Sequence, residues 1–203
     1  MSPGEVHVWR VELDRHDWPP AGDLPAGERS RAERILPAGA RRRWVASRWG
    51  LRRILSGYLD REPAAIGLRV AEGGKPRLAD EVDSPHFSLS HSGDVALIAV
   101  AGLEVGVDVE RIDSSRPVER LARRLFDPEA AAALATAPPP ERANAFYAAW
   151  TRREARAKCL GIGVGETLPA IETTVTGIDV VAGFAAAVAV VGATMPAVRL
   201  LEL

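Results

Sequence analysis

The chain holds a single cysteine, Cys159, so no internal disulfide can brace the fold. Long hydrophobic runs are missing as well. The most apolar stretch, Val180 to Val191, is broken by Gly183, rich in Ala and well short of the roughly 20 residues that span a bilayer. No membrane-spanning segment is expected. The opening residues cannot serve as an apolar secretory segment, because Glu5, Glu12, Asp14 and Asp17 interrupt them, and with the lone thiol this points to the cytoplasm. There is no large charge of either sign: 26 basic and 27 acidic residues give a net charge of -1, which excludes polyanion binding by net charge alone. Lysine is scarce in an unusual way, since 24 of the basic residues are Arg and only Lys75 and Lys158 are Lys.

What is abundant is core material. With 47% hydrophobic residues, 203 residues suffice for one large domain or two lobes of about 100 residues each. Alternation from His7 to Leu13 predicts a strand, followed by a Pro/Gly-rich connection. A short helix over Glu28 to Leu36 stops at Pro37, and Trp44, Val45, Leu51, Ile54, Leu55 and Tyr58 predict a long helix over Ala40 to Leu59. Ile66, Leu68 and Val70 form a strand that ends at the turn Gly73-Gly74-Lys75-Pro76; Phe87 to Ala101 reads as two strands and Val105 to Ile112 as another. The second half repeats the outline, with short helices over Val118 to Phe126 and Pro128 to Ala137, a break at Pro138 to Pro140 and a long helix over Asn144 to Leu160. Strands are expected over Ile171 to Val175, Asp179 to Val181 and Phe184 to Val191. The class is α+β, with a duplication dividing near Gly102 as one reading and a chance likeness as the other.

Four features could carry chemistry. In Val105-Gly106-Val107-Asp108-Val109-Glu110 the period of a strand puts Asp108 and Glu110 on one face, where two carboxylates repel unless a cation or shared proton relieves them. Such a pair suits Mg²⁺ or, alone, the wet side of an edge strand. Trp150, Glu154 and Lys158 recur every four residues along one helix face, either as a site or as an ordinary Glu-to-Lys pair beside a core Trp. The Gly74-Lys75-Pro76 turn and Phe87-Ser88-Leu89-Ser90-His91-Ser92 offer amides, hydroxyls, an imidazole and an ammonium to a phosphorylated ligand, or are plain hairpin turns. Between Glu28 and Arg53, nine Arg stand against two acids, which suits phosphate or an acidic protein. No nucleic-acid-binding motif accompanies them.

The order Gly-Lys-Pro, Phe-Ser-Leu-Ser-His-Ser, Gly-Val-Asp-Val-Glu and Trp-x-x-Arg-Glu-Ala-x-x-Lys, running from Glu28 to Gly163, resembles the 4'-phosphopantetheinyl transferases of the long, single-chain, surfactin-synthetase-activating type. The resemblance implies two similar lobes related by a pseudo-twofold axis, each a small sheet packed with a long helix. They would divide as residues 1–102, contacting the nucleotide of coenzyme A, and 103–203, carrying the metal site and the carrier docking surface. It implies Asp108, Glu110 and Glu154 as ligands of Mg²⁺ or Mn²⁺, and Lys158 facing the pyrophosphate. Gly74, Lys75 and Pro76 would lie beside the adenosine, Ser90 and His91 on the CoA phosphates and Arg31 near the 3'-phosphate. Both lysines are thereby expected to face CoA. Two departures from the family pattern are Arg153, where a Lys is usual, and Ser88, where an Asn is common. The implied reaction moves phosphopantetheine from CoA to a serine of an acyl or peptidyl carrier protein, with Asp108, Glu154 and Lys158 catalytic. The carrier would dock on Val118 to Phe126 through Arg120, Arg123 and Arg124, although Leu121, Leu125 and Phe126 read equally as core. A monomer is expected, with neither membrane nor nucleic acid as partner. A metal-dependent phosphohydrolase and a silent CoA-binding scaffold are the competing readings.

Overall fold

The computed structural model describes residues 4–80, 85–163 and 166–203. Its α+β fold begins with β1 (Glu5–Glu12), α1 (Ala26–Glu33) and the long α2 (Ala38–Leu59), then β2 (Leu68–Val70), β3 (Pro76–Leu78), β4 (His86–Ser92) and β5 (Val95–Ala101). There follow β6 (Val105–Arg111), α3 (Val118–Leu125), α4 (Pro128–Thr136), the long α5 (Pro139–Leu160), β7 (Thr173–Gly177), β8 (Phe184–Val191) and β9 (Ala197–Glu202). The strands form one sheet in the order β4-β5-β1-β9, another in the order β6-β8-β7, and the small hairpin β2-β3.

Period-two patterning explains how these parts stack. On β5, which is buried along its whole length, Val95, Leu97 and Ala99 pack with Val105, Val107 and Val109 of β6 and with Val188 and Val190 of β8. The alternate residues Ala96, Ile98 and Val100 face Ala46, Leu51, Ile54 and Leu55 of α2. Beyond the second sheet, Ala155 and Cys159 of α5 rest on Ala187 and Ala189 of β8, where small side chains allow close approach. The edges β4 and β6 meet without a backbone ladder. There the Ser88 and Ser92 hydroxyls accept hydrogen bonds from the β6 amides of Val107 and Arg111, each at 3.1 Å, so side chains supply acceptors that an edge strand lacks.

Several boundaries differ from the sequence reading. The expected break at Pro138 to Pro140 is the start of α5, because Pro139 occupies a first-turn position whose missing N–H costs nothing. Asp179 to Val181 is no strand, and the strand expected from Ile171 lies at Thr173–Gly177. The sequence reading missed β3 and β9, and β9 pairs in parallel with β1 in the first sheet although it lies beyond residue 102.

Candidate active site

With Val105, Val107 and Val109 committed to the core, Gly106, Asp108 and Glu110 point the other way. Gly106 lets β6 lie directly on α5: a Cβ there would stand 2.0 Å from the Ala155 carbonyl oxygen and 2.3 Å from the Cys159 amide nitrogen. That contact draws Asp108 to the helix face carrying Glu154 and Lys158. Asp108 is 3% exposed, and its Oδ1 accepts hydrogen bonds from Lys158 Nζ at 2.6 Å and Ser90 Oγ at 2.7 Å. Lys158 also donates to Ser90 Oγ at 2.8 Å, which closes a triangle of ammonium, hydroxyl and carboxylate. The other oxygen, Asp108 Oδ2, is buried without a partner. Glu110 accepts from Ser92 Oγ at 2.8 Å, and Glu154 is buried.

Crowded carboxylates raise one another's proton affinity. Burial first, and the Asp108 charge after it, push the Glu110 carboxyl above its ordinary value against the opposing Ser92 hydrogen bond. Burial likewise raises Glu154, with Asp108 and Glu110 adding repulsion while Lys158 and Arg153 oppose it. Among the described residues, no group of three His, Cys, Asp or Glu side chains is assembled to hold a metal ion. The donor set nevertheless suits a hard divalent cation: its atoms are all carboxylate oxygens, Asp108 Oδ2 is unpartnered, and the repulsion that adds to burial in raising Glu110 and Glu154 is what such a cation relieves.

Ser90 and Lys158 also belong to the wall of a cleft of about 780 Å³, within the range that holds small ligands and cofactors. Its lining is strongly basic. Arg31 comes from α1 and Arg34 from the residue that caps it, Arg48 and Arg52 from α2, Arg69 from β2 and Lys158 from α5, against one acid among the described residues, Glu28. Glu28 is already held by Arg48 at 2.5 Å and Arg52 at 2.9 Å and Lys158 by Asp108 at 2.6 Å, so it is Arg31, Arg34 and Arg69 that line the cavity with little internal compensation. Arg31 and Arg48 lie over the Trp44 ring at 6.0 and 5.8 Å, which fixes a flat aromatic in the wall. His91 lines the same cleft, and its pKa is lowered by desolvation there and by the neighbouring cations Lys158 and Arg48.

Of the residues singled out in the sequence, Arg31, Gly74, Pro76, Ser90, His91 and Lys158 line this cleft, and Asp108, Glu110 and Glu154 interact electrostatically beside it. Lys75 does not. Its side chain turns inward and is buried, with Nζ donating to Glu104 Oε2 at 2.8 Å, the Val105 carbonyl at 2.9 Å and the Cys159 carbonyl at 3.2 Å. The expectation that both lysines face a ligand thus fails geometrically at Lys75, whose three protons are spent on protein acceptors. Ser88, the departure noted above, serves the β4–β6 junction instead of the cleft. Arg34 and Arg48 belong to the nine-arginine segment expected to suit phosphate, Trp44 reads in the sequence only as part of the long helix, and Arg69 is not singled out there. On α3, Arg120, Arg123 and Arg124 are exposed, while Leu121, Leu125 and Phe126 are half-buried against the α3–α4–α5 cluster.

A strand-and-helix acid cluster opening onto a cation-lined cleft defines an enzyme that handles a phosphorylated ligand. Comparison narrows the class. Residues 104–185 match the 4'-phosphopantetheinyl transferase superfamily. Over 178 residues the chain is 36% identical to the 4'-phosphopantetheinyl transferase HetI of Nostoc sp., covering 85% of this chain and 75% of that protein. It is 35% identical over 156 residues to the 4'-phosphopantetheinyl transferase AcpT of Escherichia coli K12, covering 76% and 74% respectively. The chain belongs to the 4'-phosphopantetheinyl transferases. Among the described residues, no helix is long and apolar enough to cross a membrane.

Proposed function

We propose that this transferase moves the 4'-phosphopantetheine arm of coenzyme A onto a serine hydroxyl of an acyl or peptidyl carrier protein in the cytoplasm, releasing adenosine 3',5'-bisphosphate. The observation that carries the reading is the basic cleft of about 780 Å³ that ends at Ser90 and Lys158, the two residues also bonded to Asp108. One wall thus serves a polyanionic nucleotide and the next supplies acids for the reacting phosphate. Arg31 and His91 bind phosphate oxygens, and Gly74 and Pro76 flank the adenosine. Asp108, Glu110 and Glu154 would hold Mg²⁺ or Mn²⁺, which would supply charge neutralisation to the pyrophosphate.

The chain's own side chains do the rest. Lys158, moored to Asp108 and Ser90, is held where charge grows on the departing 5'-phosphate of adenosine 3',5'-bisphosphate as the pyrophosphate bond breaks, and such preorganised charge stabilises a phosphoryl-transfer transition state. Glu154, a buried carboxylate on the helix face that carries Lys158, accepts the serine proton as the oxygen attacks the β-phosphate. The exposed arginines of α3, Arg120, Arg123 and Arg124, receive an acidic carrier. The matching 22-residue helices α2 and α5, each followed by a left-handed residue, support two pseudo-twofold lobes, residues 1–102 and 103–203, with β9 lent to the first sheet, and with both lobes on one chain the surfactin-type enzyme acts as a monomer.

The test is intact-mass analysis of an apo-carrier incubated with CoA, Mg²⁺ and the enzyme. One phosphopantetheine arm per carrier is expected, and Glu154→Gln and Asp108→Ala should abolish it. An unchanged carrier mass, or hydrolysis of small phosphate esters instead, refutes the reading.

A further inference from the structure

The turn at Gly73–Pro76 has two sides. Gly74 and Pro76 line the cleft, whereas Gly73 and Lys75 abut α5 and the start of β6. A Cβ on Gly73 would stand 2.1 Å from the carbonyl oxygen of Gly161, the left-handed residue that ends α5. Lys75 reaches the same junction with its ammonium, whose three protons meet Glu104, Val105 and Cys159. Val105 opens the strand that carries Asp108 and Glu110, and Cys159 lies in the last turn of the helix that carries Glu154 and Lys158. Glu104 is itself tied down by Arg77 at 2.5 Å and His86 at 3.4 Å, and the Cys159 thiol donates to the Glu104 carbonyl at 3.3 Å.

We infer that Lys75 is a positioning residue: it pins the start of β6 to the end of α5, and so sets where Asp108 and Glu110 stand relative to Glu154 and Lys158, while its neighbours Gly74 and Pro76 form the cleft wall. The inference builds on the transferase reading proposed above, but its thiol arm is independent of that reading. A compact ammonium with three divergent donors suits three acceptors on two elements; a planar guanidinium on a longer side chain does not. This accounts for a lysine at a position whose side chain does not line the cleft, in a chain where 24 of the 26 Lys and Arg residues are Arg.

Cys159 provides the reporter. It is the chain's only thiol, it is buried, and burial pushes its pKa up to about 11, so it should react slowly with Ellman's reagent while the clamp is closed. Lys75→Met, in the whole chain, is assayed for thiol labelling, CoA affinity by calorimetry, and kcat and KM with an apo-carrier. Labelling should accelerate at least about tenfold and kcat fall at least about tenfold, with CoA affinity held within about twofold. Unchanged labelling overturns the inference, because the clamp then holds nothing. A roughly tenfold loss of CoA affinity with kcat preserved overturns it too, since the ammonium would then serve the ligand. If the unaltered enzyme loads no carrier, the transferase reading falls while the labelling and affinity arms still decide the clamp. Should Lys75→Met fail to fold, Glu104→Gln leaves Lys75 its two carbonyls and should show the same pattern at smaller size; wild-type labelling and kcat in that variant refute the inference.

Discussion

Replacing Gly106 by Ala tests whether the β6–α5 contact sets the site. The new methyl group would lie 2.0 Å from the Ala155 oxygen, 2.3 Å from the Cys159 nitrogen and 2.9 Å from the Cys159 Cα. All three are helix backbone atoms, so no side chain can swing aside. Reaching ordinary contact at 3.4 Å requires α5 to move more than 1 Å from β6, which also parts Ala155 and Cys159 from Ala187 and Ala189. Overpacking costs about 1–3 kcal/mol in general, and a clash with rigid backbone on both sides belongs at the upper end, about 3 kcal/mol. The same displacement separates Asp108 and Glu110 from Glu154 and Lys158, and a misplacement of about 1 Å costs on the order of a hundredfold in rate. Urea unfolding measures the first quantity and carrier loading the second. Gly102→Ala is the control: nothing lies within 4 Å of its Cβ position. It should change stability by less than about 0.5 kcal/mol. A folded Gly106→Ala enzyme that loses under about 0.5 kcal/mol and keeps kcat within about twofold would refute the reasoning.

Two further outcomes are expected. Burial raises the Glu104 carboxyl, but its bonds to Arg77 and Lys75 outweigh that and leave its pKa below the ordinary 4.5. Its contribution to stability is therefore complete above 4.5 and is lost as pH falls through the lowered folded value, so Glu104→Gln should flatten the drop in melting temperature below pH 4.5. An equally steep drop in the variant contradicts this assignment. Arg120→Glu with Arg124→Glu should raise KM for an acidic carrier about tenfold at low salt, with CoA affinity intact, and the effect should shrink near 1 M salt. An unchanged KM excludes α3 as the docking surface.

Local periodicity made much of this legible. Alternation along Val105 to Glu110 assigned Asp108 and Glu110 to one face, and i,i+4 spacing aligned Glu154 with Lys158, because both depend only on the geometry of a single element. The direction of Lys75 was not legible, since its acceptors on Val105 and Cys159 lie 30 and 84 residues away. The nine arginines of the basic segment look alike in sequence. Only tertiary contacts sort them, sending Arg43 to Asp14, Arg48 and Arg52 to Glu28, and Arg31 and Arg34 to the cleft wall. Strand β9 escaped notice because its burial alternates poorly, with only Val198 and Leu201 half-buried along Ala197–Glu202.

That last strand makes the first sheet depend on both ends of the described chain. β9 lies beside β1 from the pair Glu5 and Ala197 to the pair Arg10 and Glu202, so the first sheet is closed by residues that follow the whole second sheet in the chain. A polypeptide emerging from the ribosome exposes the outer edge of β1 as an open row of amides and carbonyls until residue 202 arrives. Residues 1–102 expressed alone should therefore leave that edge of β1 unpaired and associate through it instead of remaining dispersed.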